Sequence, residues 1–420
     1  MTWKYTVVLA IGIALSACQP SAAPTNNNSA PANKPTANTS TNSNTATSET
    51  KKAAPTDLQQ LAQRIVTQSA GVKEGDIVLV SGGSRDMDLL ENIVIEIRKV
   101  GGEPLLTTGS ERIAKRSYTD VPEKYDTQES KLDMALAKIA NVSINVDGQE
   151  TEGLLADVPT ARIAARAKAG EPVGAEFLKN KVRSVNVGNG LYPTEWRAKQ
   201  YEMPLDNFSK LFWEGVNIDY ANLQATGEKA KTALTGKELE ITHPNGTSLK
   251  MNLESKPAYI SDGIISPDDV QKGLVNVYLP AGEAAVIPAA NSGSGKFVIE
   301  KNFFNGKEVR NLTLTFENGK LTSMTGEGDG FAAFKADYDA RGEGKDILSF
   351  VDLGINPNYA LSPSSKFGNW VSAGMVSVGT GNNAWAGGAN NSSGGASGHL
   401  AGATVKIDGK TVVESGVLKL

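Results

Sequence analysis

Few residues in this chain can do acid–base or metal chemistry. It has two histidines, His243 and His399, and one cysteine, Cys18. His399 lies between a glycine- and serine-rich stretch and a run to Lys410 that reads as strand–turn–strand. An imidazole there serves as a metal ligand, a general base or a polar side chain at a loop end. Two carboxylates stand beside apolar runs: Glu283, after Leu279-Pro280-Ala281-Gly282, and Asp352, before Leu353-Gly354-Ile355. A carboxylate entering an apolar strand needs solvent or a partner. Taken singly, each reads as a hydrogen-bonded structural acid. Brought together, Glu283, Asp352 and His399 form a hydrolytic metal site in which Glu283 is also the catalytic carboxylate. His243, before Pro244 and Asn245-Gly246, reads as a solvated turn histidine. The chain has no G-x-S-x-G elbow, and its cysteine lies in the leader, which argues against a serine or cysteine nucleophile.

The elements that must position these groups divide the body in two. From residue 56 to 235 the pattern predicts an α/β domain with a mainly parallel sheet. Asp76 to Ser81 reads as a buried strand, followed by a turn at Gly82-Gly83 and a helix from Asp86 to Val100. That helix carries Leu89, Leu90, Ile93, Val94 and Ile97 at helical spacing, acids at its start and Arg98 and Lys99 at its end. Strands follow at 140–146 and 182–187, with a helix at 162–169 between them. Gly82-Gly83-Ser84 lacks the spacing of a dinucleotide or Walker loop and reads as a turn. Residues 194–234 read as helical, with Trp196, Phe208, Leu211, Phe212 and Trp213 as core. From 236 to 420 short strands and five Asn-Gly or Asp-Gly turns predict a β-rich α+β domain. The junction of the two domains is the expected ligand site.

Ahead of the body, Lys4 and the apolar run Val7 to Leu15 have the proportions of a secretory leader and are too short to span a bilayer. The run closes on Leu15-Ser16-Ala17-Cys18, which resembles a bacterial lipobox and marks Cys18 for lipidation. Residues 19–55 are Asn, Thr, Ser, Ala and Pro with almost no apolar bulk, the composition of a disordered tether. A coil of that length reaches roughly 35 Å. The expected location is the bacterial cell envelope, lipid-anchored, with Gln19 favouring the outer membrane. Net charge is −4 with acids and bases interspersed. No basic block is available for nucleic acid, so membrane contact is expected through the lipid alone.

The order of features resembles the aminopeptidase T family of bacterial metallo-exopeptidases, from about residue 57 to the C-terminus. The resemblance is carried by Gly75-Asp76-Ile77-Val78, Tyr192-Pro193-Thr194, Asn245-Gly246-Thr247, Pro280-Ala281-Gly282-Glu283, Gly354-Ile355-Asn356-Pro357, Gly387-Gly388-Ala389-Asn390 and Ile407-Asp408-Gly409-Lys410. It implies a two-metal centre using zinc, cobalt or manganese, peptide substrates and a homodimer. Within it, Glu283 falls on the family's Pro-Ala-Gly-Glu ligand. Asp352 replaces a glutamate, one methylene shorter. His399 falls on the histidine of a His-Trp-Asp triplet that here reads His399-Leu400-Ala401. An earlier ligand histidine lands on Ser377, and an acid lands near Trp370. Two functions follow from this pattern. One is a tethered aminopeptidase that attacks peptide N-termini with metal-activated water. The other is a non-catalytic lipoprotein, needing no metal, that binds a ligand or partner in the inherited cleft.

Overall fold

The structure, a computed structural model, describes residues 55–392 and 394–420. Cys18, the leader and almost all of the expected tether lie outside the described residues. The body opens with α1 (Leu58–Arg64), capped by Asp57, whose side chain accepts from the Gln60 N–H. β1 (Ile77–Gly83) follows, then α2 (Met87–Lys99). The helix buries Leu89, Leu90, Ile93 and Ile97 on one face, and charges of the favourable sign stand at each end. Gly101, at φ 80°, takes the left-handed turn that ends it, and the Gly102 N–H bonds back to Ile97 O. The expected turn at Gly82-Gly83 is extended, because β1 continues through both glycines.

β2 (Glu103–Gly109), α3 (Glu111–Thr119), α4 (Lys131–Ile139), β3 (Val142–Val146), α5 (Thr160–Lys179) and β4 (Arg183–Val187) complete the α/β pattern. Ser110 and Ser130 cap α3 and α4. α5 runs ten residues past its expected end at 169, straight through Pro172. Proline lacks the N–H a helix interior uses, which is why the run reads as broken. Here Val173 and Phe177 beyond it pack with Leu79, Ala137 and Val182, and that burial overrides the local preference. α6 (Glu195–Gln200), α7 (Leu205–Val216) and α8 (Tyr220–Ala233) then place Phe208, Phe212 and Tyr220 in the core.

The second half begins with β5 (Glu238–Thr242), β6 (Ser248–Asn252), β7 (Tyr259–Ser261), α9 (Pro267–Lys272), β8 (Asn276–Leu279) and β9 (Glu283–Val286). β10 (Ser294–Phe304), β11 (Lys307–Glu317), β12 (Lys320–Glu327), α10 (Phe331–Asp339) and β13 (Leu348–Gly354) come next. β14 (Val376–Thr380), β15 (Ser397–Leu400), β16 (Thr404–Ile407), β17 (Lys410–Glu414) and β18 (Val417–Leu418) close the chain. Four of the five expected Asn-Gly or Asp-Gly turns join adjacent antiparallel strands. The two residues of the Asn305-Gly306 turn have φ of 49° and 74°, as a primed hairpin turn requires. Asp262-Gly263 instead leaves β7 toward α9.

Three sheets result. The first is parallel, in the order β2-β1-β3-β4-β8. Its last strand comes from residues 276–279, so the chain crosses back over the division expected at 235/236. An eight-stranded sheet, β12-β11-β10-β6-β5-β16-β17-β18, and a five-stranded one, β15-β14-β13-β9-β7, are antiparallel throughout. Both halves share one continuous apolar core. No helix among the described residues is long and apolar enough to cross a membrane.

Candidate active site

The five-stranded sheet separates its residues by period two. Ala284, Val286, Val351, Leu353, Val376, Val378 and Leu400 are buried on one face. Ile299 of β10 lies close over Gly398, so this face packs on the eight-stranded sheet. The other face collects the polar groups. Asp352 is directly opposite Ala285 on one side and Ser377 on the other, and Ser377 is opposite His399. Directly paired residues share a face, so Asp352, Ser377 and His399 form a row across β13, β14 and β15. Glu283, two residues from Ala285, lies on that face diagonal to Asp352.

This register brings two of the three expected ligands together and leaves the third apart. Neighbouring strands are ~4.8 Å apart, so backbones two strands apart are separated by about 10 Å. Glu283 and Asp352 are on adjacent strands and sense each other's charge. His399 is two strands from Asp352, and its Nδ1 is 2.7 Å from Ser377 Oγ. Its ring centre lies 5.5 Å from that of Trp370. Among the described residues no group of three or more His, Cys, Asp or Glu side chains is placed to hold a metal ion.

Burial dominates the electrostatics. Asp352 is 3 % exposed, and its Oδ1 has no hydrogen-bond partner. Desolvation pushes its carboxyl up to about 7, against the pull of the Ala284 and Leu353 backbone N–H groups. Glu283 is raised well above the carboxylate range, first by burial and then by the charge of Asp352. Two carboxyls in this position cannot both ionise cheaply, so the pair retains a proton near neutrality. His399 is pushed down to about 4 by burial alone and is neutral at physiological pH.

These residues do not fit a two-metal centre. Two cations about 3.5–4 Å apart need bridging and flanking anions, whereas the row supplies Ser377 and, beyond His399, the buried Ala401. What persists is one carboxyl pair with an unused, buried oxygen.

Aromatic side chains that the sequence reading missed flank the pair. Trp385, in the 384–386 turn, packs edge-on against Tyr259 at 5.4 Å and against Phe350 at 5.3 Å. Tyr259 is directly opposite Ala285, so it joins the same row. The glycine-rich segment around Trp385 is pinned rather than loose. Asn383 Nδ2 donates to Ser349 O and Asn390 Nδ2 to Gly344 O. The only sequence signal was a tryptophan amid Gly and Asn, and it gave no indication of a partner. His243 is as expected, its Nδ1 accepting from the Asn245 N–H inside the hairpin turn.

A second polar cluster stands at the carboxyl ends of β1 and β3, the point where strand order reverses and open α/β sheets take ligands. Here Arg85 lies 3.8 Å over the Tyr192 ring and donates to Asp147 O, and Tyr192 Oη donates to Asp86. The cluster satisfies itself.

Comparison with known proteins agrees with this architecture. Two solved structures superpose over most of both chains. Wild-type AmpT from Thermus thermophilus gives a TM-score of 0.60 at 15 % identity, covering 86 % of this chain and 99 % of that one. A 2,5-dihydroxypyridine dioxygenase from Pseudomonas putida KT2440 gives 0.51 at 13 % identity, covering 87 % and 98 %. At such identities the likeness is one of fold, and a fold shared with a dioxygenase is not confined to one chemistry. No curated protein sequence matches significantly. A sequence model of the thermophilic metalloprotease (M29) family matches residues 54–336, a span that includes Glu283 and stops before β13. With about two thirds of its length matched, and with the fold to go with it, the chain belongs to this family of divalent-metal peptidases, the aminopeptidase T family.

Proposed function

We propose that this protein is a lipid-tethered member of the metallopeptidase family that binds peptides at the cell envelope without the family's two-metal hydrolysis. One observation carries the reading. The His399 imidazole is tied to Ser377 and sits two strands from Asp352 and three from Glu283, so the donor set for two cations is not assembled among the described residues. Peptide as the ligand class is supported by family membership. The tether and the outer-membrane location are supported by the lipobox-like Leu15-Ser16-Ala17-Cys18 and the polar segment after it.

A second reading is favoured by a separate observation, the unpartnered Oδ1 of Asp352. A buried carboxylate oxygen without a donor suits a proton or one hard cation. A single ion on Glu283 and Asp352 would supply a Lewis acid for slow release of N-terminal residues. Turnover of a panel of aminoacyl substrates by the full-length protein, with and without a chelator, separates the two readings. The first predicts no chelator-sensitive release. Robust release that is abolished in Glu283→Gln establishes the second.

A further inference from the structure

Arg197, in the first turn of α6, is a buried cation with donors to spare. It is 5 % exposed, and its one side-chain hydrogen bond runs from Nη1 to Tyr192 O, 2.9 Å away. Its guanidinium lies 4.4 Å over the Trp196 ring. Among the described residues no carboxylate comes within 4.0 Å of it, although a buried guanidinium ordinarily needs one. Asp147 exerts the largest attractive charge effect on it, but the Asp147 carboxylate accepts from the Gln149 N–H instead. A guanidinium presents five N–H donors in a planar fork, so most of this one is unused.

Two more buried polar atoms nearby have no partner. Trp196 Nε1, which can only donate, and Tyr359 Oη are both buried and without a partner. Tyr359 is fully buried and within range of the Arg197 charge, as is Tyr201, whose Oη accepts from Asn369 Nδ2. Burial works against the Arg197 charge, as it does for any desolvated cation. A cation, an indole N–H and a phenol, all short of acceptors, complement a planar carboxylate, which two N–H groups of the fork can hold at once.

The turn ahead of α6 connects this position to the segment that carries Glu283. α6 follows the 188–192 turn, in which Asn189 Nδ2 donates to Pro280 O just ahead of Glu283. A Cβ on Gly190 would lie 3.9 Å from the Trp370 ring, and that same ring faces His399. Trp370 therefore lies between this turn and His399. We infer that Arg197, together with Tyr359 and Trp196, receives the carboxylate of a bound short peptide at the junction of the two halves. This rests on the peptide-binding reading above and adds what kind of peptide is chosen: one with a free carboxylate at its end.

Calorimetric titration of the full-length protein tests this with three peptides: Ala-Ala-Phe, its C-terminal amide, and the amide of Ala-Asp-Phe. The expected result is that the free acid binds at least about tenfold more tightly than its amide. Arg197→Lys should lose most of that preference, since an ammonium cannot reproduce the fork. Tyr359→Phe, a smaller change that keeps the ring, should weaken the acid by a lesser factor and leave the amide unchanged. Recovery of binding by Ala-Asp-Phe amide would show that a side-chain carboxylate suffices and overturns the choice of a terminal one. Equal binding of all three peptides overturns the inference and leaves the peptide reading standing. Retention of the preference by a folded Arg197→Gln protein also overturns it, as would be seen if Arg197 only braces Tyr192 and Trp196. Failure of every peptide to bind removes both the inference and the reading beneath it.

Discussion

Asp126 and Asp352 are equally buried, each 3 % exposed, and they are held in opposite ways. Asp126, between α3 and α4, receives Arg162 Nε at 2.5 Å and Nη2 at 3.0 Å, and Arg166 Nε at 2.6 Å. The same arginines tie down the Tyr118 and Ser117 carbonyls. Led by the Arg162 hydrogen bond, this holds the Asp126 carboxyl at about 2. Asp352 has no cation beside it, one oxygen without a partner, and a carboxyl pushed up to about 7. The first acid is completed by its own chain. The second waits for a proton or a ligand. The difference teaches where to look for function in this fold: in the group whose environment the polypeptide leaves unfinished.

The comparison can be broken by substitution at either acid. Asp126→Asn has the largest expected effect, because it strands two arginines around a neutral amide. The Tm at pH 7.5 should fall by about 5 °C. Asp126 has a depressed folded pKa, so its contribution is present above the unfolded value near 4 and is lost as pH falls toward about 2. The deficit of Asp126→Asn should thus be constant from pH 5 to 8 and shrink below pH 4 in a thermal-denaturation series.

Asp352→Asn should act with the opposite sign and a smaller size. Its folded pKa is raised, so the wild-type protein loses stability as pH climbs from the unfolded value near 4 through about 7. Replacing the acid removes that loss. The Tm should rise by ~3 °C at pH 8.5 and be unchanged near pH 4. A fall at pH 8.5 would show that Asp352 is charged and partnered after all.

The smallest effect is expected at His399. Removing it in His399→Ala deletes the Ser377 contact and leaves that hydroxyl buried, which costs ~1–2 kcal/mol by urea denaturation. In the intact protein its ring protons, assigned against that variant, should show no titration between pH 8 and 5.5. A midpoint near 6 would place a charge beside His399 that the row does not contain.

Much of this was legible in the sequence, and the reasons are local. The parallel sheet followed from apolar runs joined by amphipathic helices such as α2, whose ends are marked by the first-turn acid Asp88 and by Gly101. Hairpins followed from Asn-Gly pairs because few other residues accept two successive positive φ values. α5 was misread at Pro172 because packing by Val173 and Phe177 is invisible to a local rule. β8, beyond residue 236, joins the first sheet through long-range pairing with β4, which no local pattern shows. At the site, Glu283, Asp352 and His399 were expected as metal ligands, and strand pairing places all three on one face of the sheet. What the row lacks is a ligand at its middle position, where Ser377 stands between acid and histidine. Trp385, Tyr259 and Arg197 went unnoticed because a lone aromatic or arginine shows its importance only through what surrounds it.

The central claim is that the two-metal centre of this family is not assembled here. Metal analysis of the purified full-length protein, after equilibration with zinc, cobalt or manganese and removal of free ion, tests it most directly. The account predicts well under one tightly held ion per chain, unchanged in His399→Ala. Close to two divalent ions per chain, lost in Glu283→Gln and in His399→Ala, would contradict it.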